Sequence, residues 1–314
     1  MKKILFSLLF ALSSLAAFAQ EQAAYTQYHV FPVLINPGCT GLDNKSQVLV
    51  NARSSWSGFP GRPNTYTVLY NGPVGDKLAL GGGFFSEKAG DISTTKVMLN
   101  YAFRFKIEKV SIGMGLSTEF LSRKADAALL NDRLVDINDA TLENLVDGQQ
   151  IFDASLGVHL QYDDRFFASL AFPNTIRTRL DEVVVEDNGS VGAAGRHYFF
   201  QLGYVLHVPN QNFKIVPSIT VRNFRNTPSQ IDINLQGRFL EDKLIAGLTF
   251  RPSSEGSAVC LLGTKINQLH FFYSYDLSFS SFQRYNGGSH EFSVAYTIPS
   301  KLKPTSPDAI LPGN

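Results

Sequence analysis

Val110-Ser111-Ile112-Gly113-Met114-Gly115-Leu116-Ser117-Thr118-Glu119-Phe120 is the stretch whose reading decides the fold. Val110, Ile112, Met114, Leu116 and Phe120 share one parity, and Ser111, Gly113, Gly115, Ser117 and Glu119 share the other. Successive side chains of a strand point to opposite faces, so this segment is a strand with one apolar and one polar side. The same alternation recurs from Gln47 almost to the end of the chain. Val97, Leu99, Tyr101 and Phe103 line up on one face of their segment. Leu156, Val158, Leu160 and Tyr162 oppose Ser155, Gly157, His159 and Gln161.

The chain starts with an export signature. Lys2 and Lys3 precede an apolar run from Ile4 to about Ala17, which ends in Ala17-Phe18-Ala19. This pattern predicts a bacterial secretory signal over residues 1–19, cleaved after Ala19, with no cysteine there to carry a lipid anchor. No stretch of the mature chain reads as a transmembrane helix. Amphipathic strands exported in such numbers point to a barrel with lipid outside and polar groups within.

The strands come in order: Gln47 to Ser54, Thr65 to Gly72, Leu78 to Lys88, Thr94 to Phe105, Val110 to Ser122, Ile151 to Tyr162, and Arg165 to Phe172. After them come His197 to His207, Lys214 to Asn223, Gln230 to Phe239, Leu244 to Phe250, Ser257 to Ile266, Leu269 to Phe279 and Ser289 to Ile298. The fold class predicted is all-β, a closed transmembrane antiparallel β-barrel of about 14 strands, an even number that returns both ends to the periplasmic side. Gly90-Asp91 and Asp163-Asp164 read as tight turns. Arg123 to Gln149, which has room for a short helix, and Pro173 to Arg196 are long breaks of the kind that carry function. Residues 20–298 read as the barrel with an amino-terminal segment 20–45, and Pro299 to Asn314 as a flexible tail. If the first strand leads outward, both long breaks are extracellular.

A soluble β-sandwich also alternates. What opposes the apolar face separates the two, and here it is often Gly, Ser, Thr or Asn, as in Leu80-Gly81-Gly82-Gly83-Phe84. Such residues suit a crowded barrel interior and suggest a lumen that is filled or narrow.

Composition agrees without deciding. The 314 residues are 44% hydrophobic, 18% charged and 12% aromatic, with a formal net charge of +1. Near-neutral charge and the lack of a basic run argue against nucleic acid as a partner. Cys39 and Cys260, the two cysteines, read as separate thiols. His29, His159, His197, His207, His270 and His290 are too scattered for metal-ligand spacing, and no cofactor motif is evident. Ser289-His290-Glu291 cannot form a catalytic triad, because neighbours on a strand face opposite sides. Ser289 and Glu291 should face the lumen, where Glu291 can pair with a basic residue of a neighbouring strand.

Two blocks stand out from the strand background. One holds Asn36-Pro37-Gly38-Cys39-Thr40-Gly41 and then Arg53, Trp56, Gly58, Gly61, Pro63 and Thr65. The other holds Tyr273, Tyr275 and Asp276, then Gly288-Ser289-His290-Glu291. Asn36-Pro37 and Gly41 read as a turn. Arg53 and Trp56 flank the first hairpin, with Trp56 a candidate for the interface girdle and Arg53 for the barrel interior or rim.

Taken with the barrel, the two blocks resemble the PorP/SprF family of Bacteroidota outer-membrane proteins of type IX secretion, over essentially the whole mature chain. Cys39 departs from that pattern, standing where an aromatic residue is usual. The resemblance implies a non-enzymatic outer-membrane component supporting export or surface attachment of secreted proteins such as adhesins, with gliding motility as one outcome. It implies outer-membrane lipid, periplasmic and outer-membrane secretion components, and secreted cargo as partners. Candidate docking residues are Asn36, Pro37, Gly41, Arg53, Trp56, Gly58, Pro63, Thr65, Tyr275, Asp276, Ser289, His290 and Glu291. The alternatives are a passive porin or small-solute channel, and a soluble periplasmic binding protein.

Overall fold

A computed structural model describes residues 25–131, 140–180, 197–209, 211–223, 229–252 and 256–299. The proposed signal, most of the tail, and residues 132–139 and 181–196 of the two long breaks lie outside the described residues.

The strands are β1 (Ser46–Ser54), β2 (Asn64–Val74), β3 (Leu78–Ala89), β4 (Ile92–Ile107), β5 (Val110–Ala125), β6 (Gln149–Tyr162), and β7 (Phe166–Phe172). They continue with β8 (Tyr198–Tyr204), β9 (Phe213–Asn223), β10 (Gln230–Phe239), β11 (Leu244–Arg251), β12 (Ser257–Ile266), β13 (Leu269–Ser278) and β14 (Ser289–Ile298). One short helix, α1 (Ala140–Asp147), lies in the first long break. The hydrogen-bonded sheet has 16 strands among the described residues. Two of these are two-residue pieces, Thr178–Arg179 beside β6 and Leu206–His207 beside β9, which leaves the 14 long strands. His197 to His207 is therefore not one continuous strand. At Val205 the backbone N–H leaves the ladder and donates to the Arg165 carbonyl at 2.7 Å.

Each long strand pairs antiparallel with its sequence neighbours, and β14 pairs with β1 to close the barrel. Closure satisfies the backbone groups that an open edge would leave to hydrocarbon. The alternation follows the wall. Val97, Leu99, Tyr101, Phe103, Met114, Leu116 and Phe120 are exposed on the outside, while Ser117 and Glu119 are buried inside.

The two ends differ. At one end the turns are tight. Asp163 and Asp164 both have φ of 53° and are the central pair of a β-turn closed by the Arg165 N–H on the Tyr162 carbonyl at 3.0 Å. Asp242, in the β10–β11 turn, is bound by Lys214 at 2.9 Å. Partial burial would raise its carboxyl, but the Lys214 hydrogen bond and charge outweigh that and hold it below the usual carboxylate range. The other end carries the longer connections, which include α1. Bacterial barrels keep short turns and both chain ends in the periplasm, so the longer connections are expected outside.

Two expectations follow. Protease added to intact cells should cut within 126–148 and 173–197, and protection of both would refute this orientation. Leu248→Arg, at an outward position that is 60% exposed, should cost about 2–4 kcal/mol in urea unfolding from lipid vesicles. An unchanged midpoint would mean that this face does not meet hydrocarbon.

Candidate functional site

Residues 25–45 do not hang from the barrel. They run through the lumen as four short 3-10 turns, Gln27–His29, Pro32–Leu34, Pro37–Cys39 and Leu42–Asn44. Pro32 and Pro37 open two of these turns, where their fixed φ fits and the missing N–H is not needed. Gln27, Tyr28, Asn36, Cys39 and Thr40 are all essentially buried. The segment is a plug, and the inner wall is shaped to receive it.

On one side the wall is glycine. A Cβ on Gly115 would collide with the Pro37 backbone, one on Gly113 with the Gly38 carbonyl, and one on Gly157 with the Asn36 amide oxygen. β5 and β6 thus bring their backbones against the plug. The Asn36 side chain accepts from the Gly38 N–H at 2.8 Å and donates to the Val158 carbonyl at 3.0 Å. Gly41, at φ 66°, donates its N–H to Asn71 at 3.1 Å, and its carbonyl accepts from Arg104. On the other side the wall is apolar. Phe31 and Val33 pack with inward-facing Leu49, Leu69, Ile245, Leu261 and Phe272, and Phe31 meets Phe272 edge-on at 5.3 Å.

Towards the long-connection end the plug meets a line of buried charges. Glu291 of β14 pairs with Arg53 of β1 at 3.1 Å, and Arg53 lies 3.5 Å from Asp276 of β13. Asp276 pairs with Arg251 of β11 at 2.5 Å. Arg251 lies 3.3 Å from Asp232 of β10, which pairs with Arg222 of β9 at 3.1 Å. Three arginines and three carboxylates alternate along one flank of the lumen, all nearly excluded from solvent.

The plug closes this line at both ends. Glu291 accepts from the Thr26 N–H at 2.8 Å, the Thr26 hydroxyl at 2.5 Å and the Asn51 amide at 2.8 Å. The Gln27 amide donates to the Glu291 backbone carbonyl at 2.9 Å. At the far end the Tyr28 hydroxyl donates to Asp232, and the Arg222 guanidinium sits 5.5 Å from the Tyr28 ring centroid. Beside the plug at this end is a cavity of about 340 Å³, bounded in part by Tyr25, Val33, Leu69, Phe85, Lys96 and Phe199.

The motif residues divide between two places. Asn36, Pro37, Gly41, Arg53, Asp276 and Glu291 belong to the plug or its anchorage. Thr65 is also inward and donates its hydroxyl to Glu87 at 3.0 Å. Ser289 faces inward as well, and its hydroxyl accepts from the Trp56 N–H at 3.1 Å. His290 lies on the opposite face, bonded to Tyr273 at 2.7 Å, so the Ser289-His290-Glu291 run does not converge. Tyr275 donates to the Gly287 carbonyl at 3.1 Å. Trp56 and Gly58, with φ of 51° and 84°, and Pro63 lie in the β1–β2 connection, where the Trp56 and Phe59 rings pack edge-on against Phe282. No disulfide joins Cys39, buried in the plug, to Cys260, which faces outward. Among the described residues no three His, Cys, Asp or Glu side chains gather as a metal site.

Removing one member of a buried ion pair strands the other, and Arg53→Met should destabilise the protein by about 3–5 kcal/mol. Trp56, the one tryptophan, reports on it as a fluorophore through its bond to Ser289. A urea midpoint equal to that of the parent would show that the pair does not hold the plug.

Comparison with solved structures finds outer-membrane barrels. The CymD monoaromatic hydrocarbon channel is 12% identical with a TM-score of 0.50, covering 89% of this chain and 94% of its own. A Pseudomonas aeruginosa FadL homologue is 13% identical with a TM-score of 0.46, covering 84% and 92%. The P. putida toluene transporter TodX is 9% identical with a TM-score of 0.44, covering 86% and 94%. Identities this low speak to the fold alone. No curated protein matches this chain in sequence. The family model that matches describes a type IX secretion system membrane protein, a non-enzymatic kind. Its match runs from residue 17 to residue 296, plug and barrel together, and on that match this outer-membrane barrel belongs to the PorP/SprF family.

Proposed function

We propose that this barrel works in type IX secretion as a non-conducting outer-membrane component, supporting the export or surface attachment of secreted proteins, adhesins among them, with gliding motility as one outcome. The observation that carries this reading is the plug. A lumen crossed by residues 25–45 and locked through Glu291 and Asp232 is poorly suited to passive diffusion. A surface role then falls to the long connections, and the partners are periplasmic and outer-membrane secretion components and the secreted cargo. The motif residues that do not touch the plug gather at that end. Trp56, Gly58, Pro63, Tyr275 and His290 are the docking candidates, beside the exposed rings of Phe59 and Tyr285. Residues that bury the plug, such as Arg53 and Glu291, hold that surface in place.

The competing reading is a passive porin, favoured by the cavity of about 340 Å³ inside the lumen. Conductance separates the two. In planar bilayers the full chain should show no large constitutive pore, and a variant lacking residues 25–41 should conduct. Steady large pores from the intact protein would favour the porin. Disrupting the gene should lower the amount of secreted or surface-attached protein, and an unchanged secreted set would count against the secretion role.

A further inference from the structure

A second cavity, of about 130 Å³, lies at the short-turn end between the plug and the wall. Its wall side is formed by Gln47, Asn71, Lys265, His270 and Thr297. These belong to β1, β2, β12, β13 and β14, five strands that are consecutive around the barrel. Register places them side by side. Lys265 is opposite His270, Thr297 is opposite Gln47, and Gln47 is opposite Asn71. The plug side is apolar, with Phe31, Val33 and Leu42, and exposed Lys45 stands at the rim.

Two features give the cavity a charge preference. Its lining holds two lysines and no carboxylate. Two of its donors, the Asn71 amide nitrogen and the Thr297 hydroxyl, are buried with no hydrogen-bond partner. Asn71 is only 5% exposed, and its amide oxygen is already taken by the Gly41 N–H at 3.1 Å, so the nitrogen is the group left over. Buried donors without acceptors are rare in folded proteins, and an anion supplies acceptors to several at once.

We infer that this pocket binds an oxyanion group, a carboxylate or a phosphate, at the periplasmic mouth of the barrel. The oxygens would lie against the Asn71, Thr297 and Lys265 donors, with Lys45 at the rim. The apolar plug face opposite fits a short aliphatic group next to the anion. The free carboxyl end of a peptide chain with an aliphatic last residue has both parts, while inorganic phosphate has only the first. The volume admits one such terminal residue and no longer segment.

The test uses the full-length protein in detergent, titrated by calorimetry with acetyl-Gly-Val as the free acid, with its carboxy-terminal amide, and with inorganic phosphate. The free acid should bind, and the amide should bind at least about tenfold more weakly. Asn71→Asp keeps the acceptor for Gly41 but turns the spare donor into an acceptor. It and Lys265→Gln should each weaken the acid by about tenfold or more. Each variant is first checked for the heat-dependent gel shift of a folded barrel, and Thr297→Val replaces Asn71→Asp if the latter does not fold. Phosphate binding without peptide binding, lost in the same variants, would keep the oxyanion site and assign free phosphate as its source. Equal binding of acid and amide, binding of neither acid nor phosphate, or full binding by both variants would overturn the site.

Discussion

The Glu291 carboxylate has no exposure to solvent, and the interior is organised around that constraint. A buried charge is tolerated only when it is paired and its lone pairs are filled. Here Arg53 supplies the charge, Asn51 fills one oxygen, and Thr26 of the plug donates twice to the other. Half of the ligation thus comes from the wall and half from a segment that is not part of it. The line of alternating charges carries the same dependence to Asp232, which takes a hydrogen bond from Tyr28. The plug completes a polar network that would otherwise hold unsatisfied acceptors in a poorly screened space.

The wall and plug fit by two different means. β5 and β6 give up side chains at Gly113, Gly115 and Gly157, so that backbone meets backbone around Asn36-Pro37-Gly38. Across the lumen, Leu49, Leu69, Leu261 and Phe272 turn apolar side chains inward and bury Phe31 and Val33. A porin interior needs neither device. Both are what a barrel needs if its centre is a protein core and its working surface is the outside of its loops.

Much of this was legible in the sequence, and the reasons differ by element. The strands declared themselves because lipid on one side demands apolar residues at every second position, as in Val110 to Phe120. The tight turn at Asp163-Asp164 was legible because few residues tolerate two successive positive φ values. The pairing of Glu291 with a basic residue across a strand followed from parity, and Arg53 lies directly opposite it. Residues 25–45 are less legible. Their turns are fixed by contacts with distant strands, so local sequence shows only prolines and glycines. Arg222, Asp232 and Arg251 carry no motif, although each is an inward charge beside an outward Val, Ile or Phe. Leu49 was hidden by its own neighbours, since Val48 and Val50 make the strand apolar on both faces. An apolar residue on the lumen parity is a second hint, beside the small inward residues, that something solid fills the barrel.

The seam where β14 meets β1 has a bearing on how the molecule is assembled. Arg53 and Glu291 face each other across the two strands that shut the cylinder, and both also grip the same short stretch of plug. Shutting the cylinder and seating its filling therefore draw on the same few contacts. A chain zipped along that edge while still hollow would trap two opposite charges with a gap where Thr26 belongs. The first strand and the segment just before it thus stabilise each other at the seam.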